Sequence, residues 1–246
     1  MKIGILTAVW QRLKIFEIFA TGVNRLRDQF DITPVVVGSE GEVSKNLCKK
    51  YGFLYLERPN YPLGRKFNAG LQVFKIFHVD YVIVMGSDDL ISNSLIEAYM
   101  PYMKRGRDLI GILDIYFYDI RVKQLHYLAG YGNRPQDKHR RGEPLGLARC
   151  ISNKMINLVN WHLWDNNVNK GLDWTMWQNL RKVRCKPITI RLTDINSFAV
   201  DLKSGHNICD LGIYRTIEVD DKIMRQSLSN KELKLIDDYT ILSGSS

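Results

Sequence analysis

The chain has 246 residues, 45% of them hydrophobic and 25% charged, ordinary values for a globular protein large enough to bury a sizeable core. No apolar run approaches the ~18 residues of a membrane-crossing helix, and the formal charge of +9 favours anionic partners such as nucleotides, nucleic acid or acidic surfaces. Cys48, Cys150, Cys185 and Cys209 are scattered without a CxxC pair, which argues against a zinc site or a disulfide framework.

The N-terminal run 2–9 reads as a strand rather than a signal peptide, so the expected location is cytoplasmic. Phe16, Phe19, Val23, Leu26 and Phe30 recur every three or four residues and predict a helix. A strand over 32–37 follows, then a short helix carrying Leu47 and Tyr51, and a strand over 53–56. Residues 59–64 read as a loop, and Phe67, Leu71 and Phe74 as the next helix. The β-branched run Tyr81-Val82-Ile83-Val84-Met85 predicts a buried strand, and Leu95, Tyr99 and Met103 a helix behind it. Such alternation predicts an α/β fold with a mostly parallel central sheet flanked by helices.

The second half is less regular. Residues 109–120 read as one strand bent at Asp114, 121–131 as another, and 132–146 as a long basic loop. Helices are expected over 152–164 and 173–181, and a strand over 186–192. Ser229-Asn230-Lys231-Glu232 is a capping-box pattern opening a last helix.

The chemistry gathers at the C-terminal ends of the first strands, where open α/β sheets bind ligands. Thr7-Ala8-Val9-Trp10-Gln11-Arg12 follows the first strand and Gly38-Ser39-Glu40 the second. Leu63-Gly64-Arg65-Lys66-Phe67-Asn68-Ala69-Gly70 comes before the third helix, and Gly86-Ser87-Asp88-Asp89 follows the fourth strand. Two adjacent carboxylates are costly to desolvate without a cation or donors, so Asp88 and Asp89 read either as a metal and diphosphate site or as a solvated turn capping a helix. Arg65 and Lys66 can hold phosphate at a helix N-terminus, or simply face solvent. No GxGxxG follows the first strand, and no P-loop, GxSxG or HExxH sequence is present.

In this order and spacing the motifs resemble a glycosyltransferase of the GT-A fold, most like family 2. Thr7 and Arg12 fit the family's first motif while Val9-Trp10-Gln11 departs from it, and the tetrad lacks the first aspartate of the DxD-type element. The resemblance implies one GT-A domain over 1–215, with a donor half (1–107) and an acceptor half (108–215), and a helical tail over 216–246. It implies a nucleotide-diphosphate sugar donor bound by Thr7, Ala8, Val9, Arg12, Glu40, Arg65, Lys66, Asn68, Ser87 and Asp88. It implies a divalent metal, Mn or Mg, on Asp89 and His206. Asp173 in Gly171-Leu172-Asp173-Trp174 is similar to the general base of inverting members. Gly146, Trp174, Arg140 and Arg141 fall on the acceptor side. Each has a plainer reading: Asp173 as a helix cap, His206 as a surface histidine, the tryptophans as core.

Two basic clusters remain, Arg134, Lys138, Arg140 and Arg141 in the long loop, and Arg181, Lys182, Arg184, Lys186 and Arg191 further on. They are either solvated surface or a binding face for an anionic acceptor, with modified DNA or a charged glycan as candidates. A nucleotidyltransferase shares the architecture, but its usual glycine-rich, Arg-containing loop after the first strand is missing. A nucleic-acid-binding protein on a transferase-like scaffold is the non-enzymatic alternative.

Overall fold

The computed structural model describes residues 1–132, 135–205 and 211–243. The first half runs β1 (Ile3–Ala8), α1 (Leu13–Arg27), β2 (Ile32–Gly38), α2 (Glu42–Tyr51), β3 (Leu54–Glu57), α3 (Leu63–Phe77), β4 (Tyr81–Val84), β5 (Asp89–Ile91) and α4 (Asn93–Lys104). The second half runs β6 (Leu109–Ile112), β7 (Ile115–Asp119), β8 (Gln124–Leu128), β9 (Arg149–Ser152), α5 (Asn153–Leu158), α6 (Leu172–Lys182), β10 (Pro187–Ile190), β11 (Ala199–Lys203), β12 (Ile217–Val219), α7 (Lys222–Ser227) and α8 (Asn230–Ser243).

The strands form two sheets. The larger has the order β10-β6-β9-β4-β1-β2-β3 and is parallel except for β9, which runs antiparallel to both β4 and β6. The smaller has the order β12-β8-β7-β11-β5. Alternate residues of β1 feed two cores, as a strand's period of two requires. Ile3 and Ile5 pack in the cluster with Phe16, Phe19 and Val23 of α1, whereas Leu6 joins Leu71 and Phe74 of α3. Helix α3 lies close on its sheet because Gly4 and Gly70 carry no side chains. A Cβ on Gly4 would meet the Phe74 ring at 2.5 Å, and one on Gly70 would meet Val37 at 2.4 Å.

Several expectations are corrected. The single bent strand over 109–120 is two strands in different sheets. Asp114, fully buried at the break, accepts from the Leu192 amide at 2.6 Å, the Tyr127 hydroxyl at 2.9 Å and the Thr193 hydroxyl at 3.2 Å. Those bonds hold the chain in its turn between sheets. The helix expected over 152–164 stops at Leu158, because Asn160 and Trp161 adopt positive φ values of 52° and 61°. Leu63 and Gly64 belong to α3 rather than to the loop before it. Strands β5, β9 and β11 were not expected. Each is five residues or shorter and carries a charged residue, so none shows as an apolar run.

Helix α8 is tied to α1 by a buried ion pair. Glu232, fully buried, receives Arg25 Nε at 2.8 Å and Nη2 at 3.1 Å, and also the Ser229 amide at 2.8 Å. The last bond, with Ser229 Oγ accepting from the Glu232 amide at 3.3 Å, closes the capping box read in the sequence.

Candidate active site

The tetrad after β4 carries the chain from one sheet to the other. Gly86, Ser87 and Asp88 turn, Asp89 begins β5, and β5 pairs antiparallel with β11 so that Asp89 faces Asp201. The Asp88 carbonyl accepts from the Leu202 amide at 2.9 Å, which locks the turn to β11. Asp88, Asp89 and Asp201 therefore each offer a carboxylate oxygen within 4.8 Å of the others, a spacing suited to one metal ion.

Among the described residues, two cations and one backbone amide face the trio. Arg12 pairs with Asp88 and donates from Nη2 to Ser87 Oγ at 3.2 Å. The Gly86 amide donates to Asp89 Oδ2, and Lys203 Nζ donates to Asp201 Oδ2 at 2.6 Å. Asp201 Oδ1 is buried and accepts no hydrogen bond among the described residues. Burial foremost, then the charges of Asp88 and Asp201, push the Asp89 carboxyl well above the usual carboxylate range. Burial foremost, then Asp88, pushes Asp201 up to about 7. Hard oxygen ligands, an unpartnered oxygen and carboxyls strained toward protonation all fit a divalent cation.

The first-strand motif and the start of α3 meet beside this trio. Lys66 is 2% exposed, and its ammonium donates to the Val9 carbonyl at 2.9 Å and to Asn60 Oδ1 at 3.0 Å. Burial lowers its pKa to about 8, opposed by Glu40 and assisted by the charge of Arg12. Glu40 accepts from the Gln11 amide at 3.0 Å and from Ser44 Oγ at 2.9 Å, tying the first loop to α2. Thr7 is 1% exposed, and its Oγ1 has no partner among the described residues. Val9 is buried and Ala8 half-buried. Asn68 is buried and spent on the chain near Trp164: it donates to that residue's carbonyl at 2.8 Å and accepts from its amide at 3.2 Å. Arg65 is exposed on the other face of α3. An aromatic pair stands open at this edge, Trp10 at 37% and Tyr61 at 60% exposure, edge to face with centroids 5.8 Å apart.

Across β9 lies a second constellation. Asp173 sits in the first turn of α6, capped by Gly171 without any side-chain bond. Among the described residues no donor reaches the Asp173 carboxylate. It lies flat against Gly146, where a Cβ would come within 2.3 Å of both oxygens. Beneath it Arg149 is fully buried and donates to the carbonyls of Asp173 at 2.8 Å, Pro144 at 2.7 Å and Leu145 at 3.0 Å, and to Glu143 Oε1 at 3.1 Å. Arg149 also pairs in register with Val84 of β4, four residues before Asp88. One residue thus joins the end of β4 to the start of α6. Tyr131 lines the same region; burial foremost, then the Asp173 charge, push its hydroxyl up to about 12.

Arg140 is not a solvated loop cation. It forks onto Glu143 at 2.6 and 2.9 Å and stacks on the Tyr131 ring at 3.7 Å. Arg141 is exposed. Trp174 is 39% exposed beside Asp173, with His139 edge-on at 5.5 Å, while Trp161 and Trp164 are core. His206 and Arg134 lie outside the described residues. Sequence reasoning missed Asp201, Lys203, Arg149, Trp10 and Tyr61; a carboxylate two residues from a lysine within an apolar stretch, Val200-Asp201-Leu202-Lys203, was the available signal for the first two.

No protein-family profile matches the chain, and no curated protein matches it in sequence. Solved structures do. A mannosyltransferase from Pyrobaculum calidifontis, in complex with GDP-Man and Mn2+, superposes with a TM-score of 0.56 at 10% identity, over 82% of this chain and 56% of that one. A CMP:2-keto-3-deoxy-manno-octonic acid synthetase complexed with CTP gives 0.50 at 10% identity, over 78% and 90%. A cytidylyltransferase from Leptospira borgpetersenii serovar Hardjo-bovis gives 0.50 at 14% identity, over 99% and 96%. At such identities the likeness is one of fold. The chain has the α/β architecture, with a mixed central sheet between helices, that GT-A-like sugar transferases share with cytidylyltransferases.

Proposed function

We propose that this protein is a metal-dependent glycosyltransferase that moves a sugar from a nucleoside-diphosphate donor to an acceptor hydroxyl, with inversion at the anomeric carbon. The observation that carries the reading is the placement of Asp173. A carboxylate that accepts from no donor among the described residues stands at the head of α6, joined through Arg149 and β9 to β4, the strand that leads into Asp88 and Asp89.

Asp88, Asp89 and Asp201 would hold Mn or Mg, which when bound supplies Lewis-acid neutralisation of the leaving diphosphate. Arg12 and Lys66 add cationic side chains at the same edge, and the open Trp10–Tyr61 pair offers a face for the donor base. Asp173 takes the acceptor hydroxyl proton as that oxygen bonds to the anomeric carbon. The bond from that carbon to the diphosphate oxygen breaks, and its electron pair leaves with the nucleoside diphosphate. Trp174 presents an indole face next to Asp173 for the acceptor. The acceptor we favour is anionic, on the strength of the exposed cluster Arg181, Lys182, Arg184, Lys186 and Arg191.

A nucleotidyltransferase is the second reading, favoured by the superposition on a cytidylyltransferase across nearly the whole of both chains. The products separate the two. Transfer or hydrolysis of a nucleoside-diphosphate sugar releases nucleoside diphosphate, whereas nucleotidyl transfer from a nucleoside triphosphate to a sugar or alcohol phosphate releases pyrophosphate. A product assay with UDP-, GDP-, ADP- and dTDP-sugars, and with the four triphosphates, is expected to yield metal-dependent nucleoside diphosphate. Pyrophosphate release alone would replace our reading with the second.

A further inference from the structure

We propose that Arg12 is the exchangeable counter-ion of the carboxylate trio: it pairs with Asp88 while the metal is away and turns to the diphosphate when a divalent ion takes Asp88, so that metal and diphosphate bind cooperatively. The inference rests on the donor and metal reading above and adds the residue that couples its two ligands.

The geometry supplies three supports. Arg12 reaches Asp88 and Ser87 together, so its guanidinium lies against one of the three carboxylates that converge within 4.8 Å. Its charge also bears on Lys66, whose ammonium is fixed on the Val9 carbonyl and on Asn60. Arg12 therefore acts on both the trio and the second cation of the same edge. It is also the residue immediately before α1, a backbone position at φ −134° and ψ 43° outside the helix, and its side chain is 15% exposed, so reorienting it breaks no helical bond.

Charge decides the direction. Among the described residues, three ionised carboxylates outnumber the two cations paired with them, Arg12 and Lys203, and that balance opposes a diphosphate. A divalent ion reverses that sign. It also draws the Asp88 carboxylate to itself and repels the guanidinium, whose planar fork is suited to phosphate oxygens. Asp201 and Asp89 do not share this behaviour: Lys203 and the Gly86 amide hold them from their own strands or the adjoining turn.

The test needs neither the sugar nor the acceptor. Mn2+ binding is measured by the paramagnetic resonance signal of the free ion, with and without saturating inorganic pyrophosphate, and pyrophosphate binding by calorimetry with and without Mn2+. In the unaltered protein each ligand is expected to tighten the other about tenfold, within the usual span of coupled sites. In Arg12→Gln, Mn2+ alone should bind at least as tightly as before, because Asp88 no longer has to release a cation, and the coupling should fall below about twofold. Arg12→Lys keeps the charge without the fork and should retain part of the coupling. Undiminished coupling in Arg12→Gln, or weaker binding of Mn2+ alone, would overturn the role of Arg12 while leaving the metal site standing. Absence of both Mn2+ and pyrophosphate binding in the unaltered protein would overturn the site and this role together.

Discussion

Asp89 and Asp201 face each other directly across the antiparallel pair β5–β11. Like charges opposite one another in a ladder oppose folding, and here Asp88 adds a third. Wherever the three are ionised together without a cation they oppose folding, and that cost is part of what raises the Asp89 and Asp201 carboxyls. Asp201→Asn keeps an oxygen for Lys203 and removes one charge. We expect its metal-free thermal midpoint to rise by about 2–4 °C, the effect of relieving ~1 kcal/mol in a chain of this size. We expect Mn2+ affinity to fall at least about tenfold. A lowered midpoint with unchanged Mn2+ affinity would remove Asp201 from the metal site.

That pairing also marks where sequence reading stopped. Asp88 and Asp89 were legible because they end an apolar run, and Lys66 and Arg12 because they flank predicted elements. Asp201 lies in a five-residue strand, and its meaning comes from register with a residue 112 positions earlier in the chain. The capping box at Ser229 and Glu232 was legible for the same local reason as the tetrad. Its second function, pairing with Arg25 across 207 positions, was not. The long basic loop misled because residue type was read as exposure: Arg140 is committed to Glu143 and Tyr131. Arg149 broke the apolar pattern of β9 and so hid both the strand and the residue that holds Asp173.

Asp173 makes a sharp prediction because a neighbour can test it independently. Asp173→Asn should retain nucleotide binding and lose roughly two to four orders of magnitude in turnover. Gly146→Ala should act in the same direction without touching the carboxylate chemically, since the new methyl would sit 2.3 Å from its oxygens and displace them. Steady-state kinetics with calorimetric nucleotide affinities check both. Full turnover in Asp173→Asn would reduce that residue to an ordinary first-turn acid on α6.

The lowered pKa of Lys66, about 8, sets a pH dependence. In the unfolded chain the group stays protonated to about 10.4. Between these values the unfolded state binds more protons, so this lysine makes the ligand-free protein more stable as pH rises through 8. Diphosphate binding runs the other way, because the anion needs the ammonium. Of its three donors two are used within the protein, which leaves one for phosphate. Pyrophosphate affinity should drop by about tenfold from pH 7 to pH 9, and the drop should vanish in Lys66→Met. Calorimetry across that range in both proteins is the measurement; a profile shared by the two would assign the dependence to another group.

The buried pair Arg25–Glu232 predicts that α8 is integral to the fold. Glu232→Ala leaves the Arg25 guanidinium, itself only 16% exposed, without its carboxylate. Loss of one partner from such a pair costs about 3–5 kcal/mol. The thermal midpoint should fall by at least about 6 °C. Exposed Lys45–Glu42, by contrast, should be nearly silent to Glu42→Ala. Equal, small shifts in both variants would mean that α8 rests on the domain without stabilising it.

The anionic acceptor is tested best at the far end of α6. Arg181, Lys182 and Arg184 are exposed at its C-terminus, whereas Asp173 opens the helix. Nine residues at 1.5 Å each separate the two ends by about 14 Å. A polyanion held at the cluster can therefore reach the head of the helix with a hydroxyl while its backbone stays on the basic face. Contacts of this kind release counterions, so binding should weaken steeply with salt. Reversing Arg181, Lys182 and Arg184 to Glu alters only exposed side chains and should spare the fold and pyrophosphate binding. Arg140 is unsuited to the same test, since reversing it would set a carboxylate against buried Glu143. Electrophoretic mobility assays with duplex and single-stranded DNA at 50 and 200 mM salt should show binding at the lower salt only, and loss of it in the triple variant. Retention in that variant would place the DNA contact elsewhere. No binding of the unaltered protein to DNA or to a sulfated glycan at low salt would make the cluster plain surface and direct the search toward neutral acceptors.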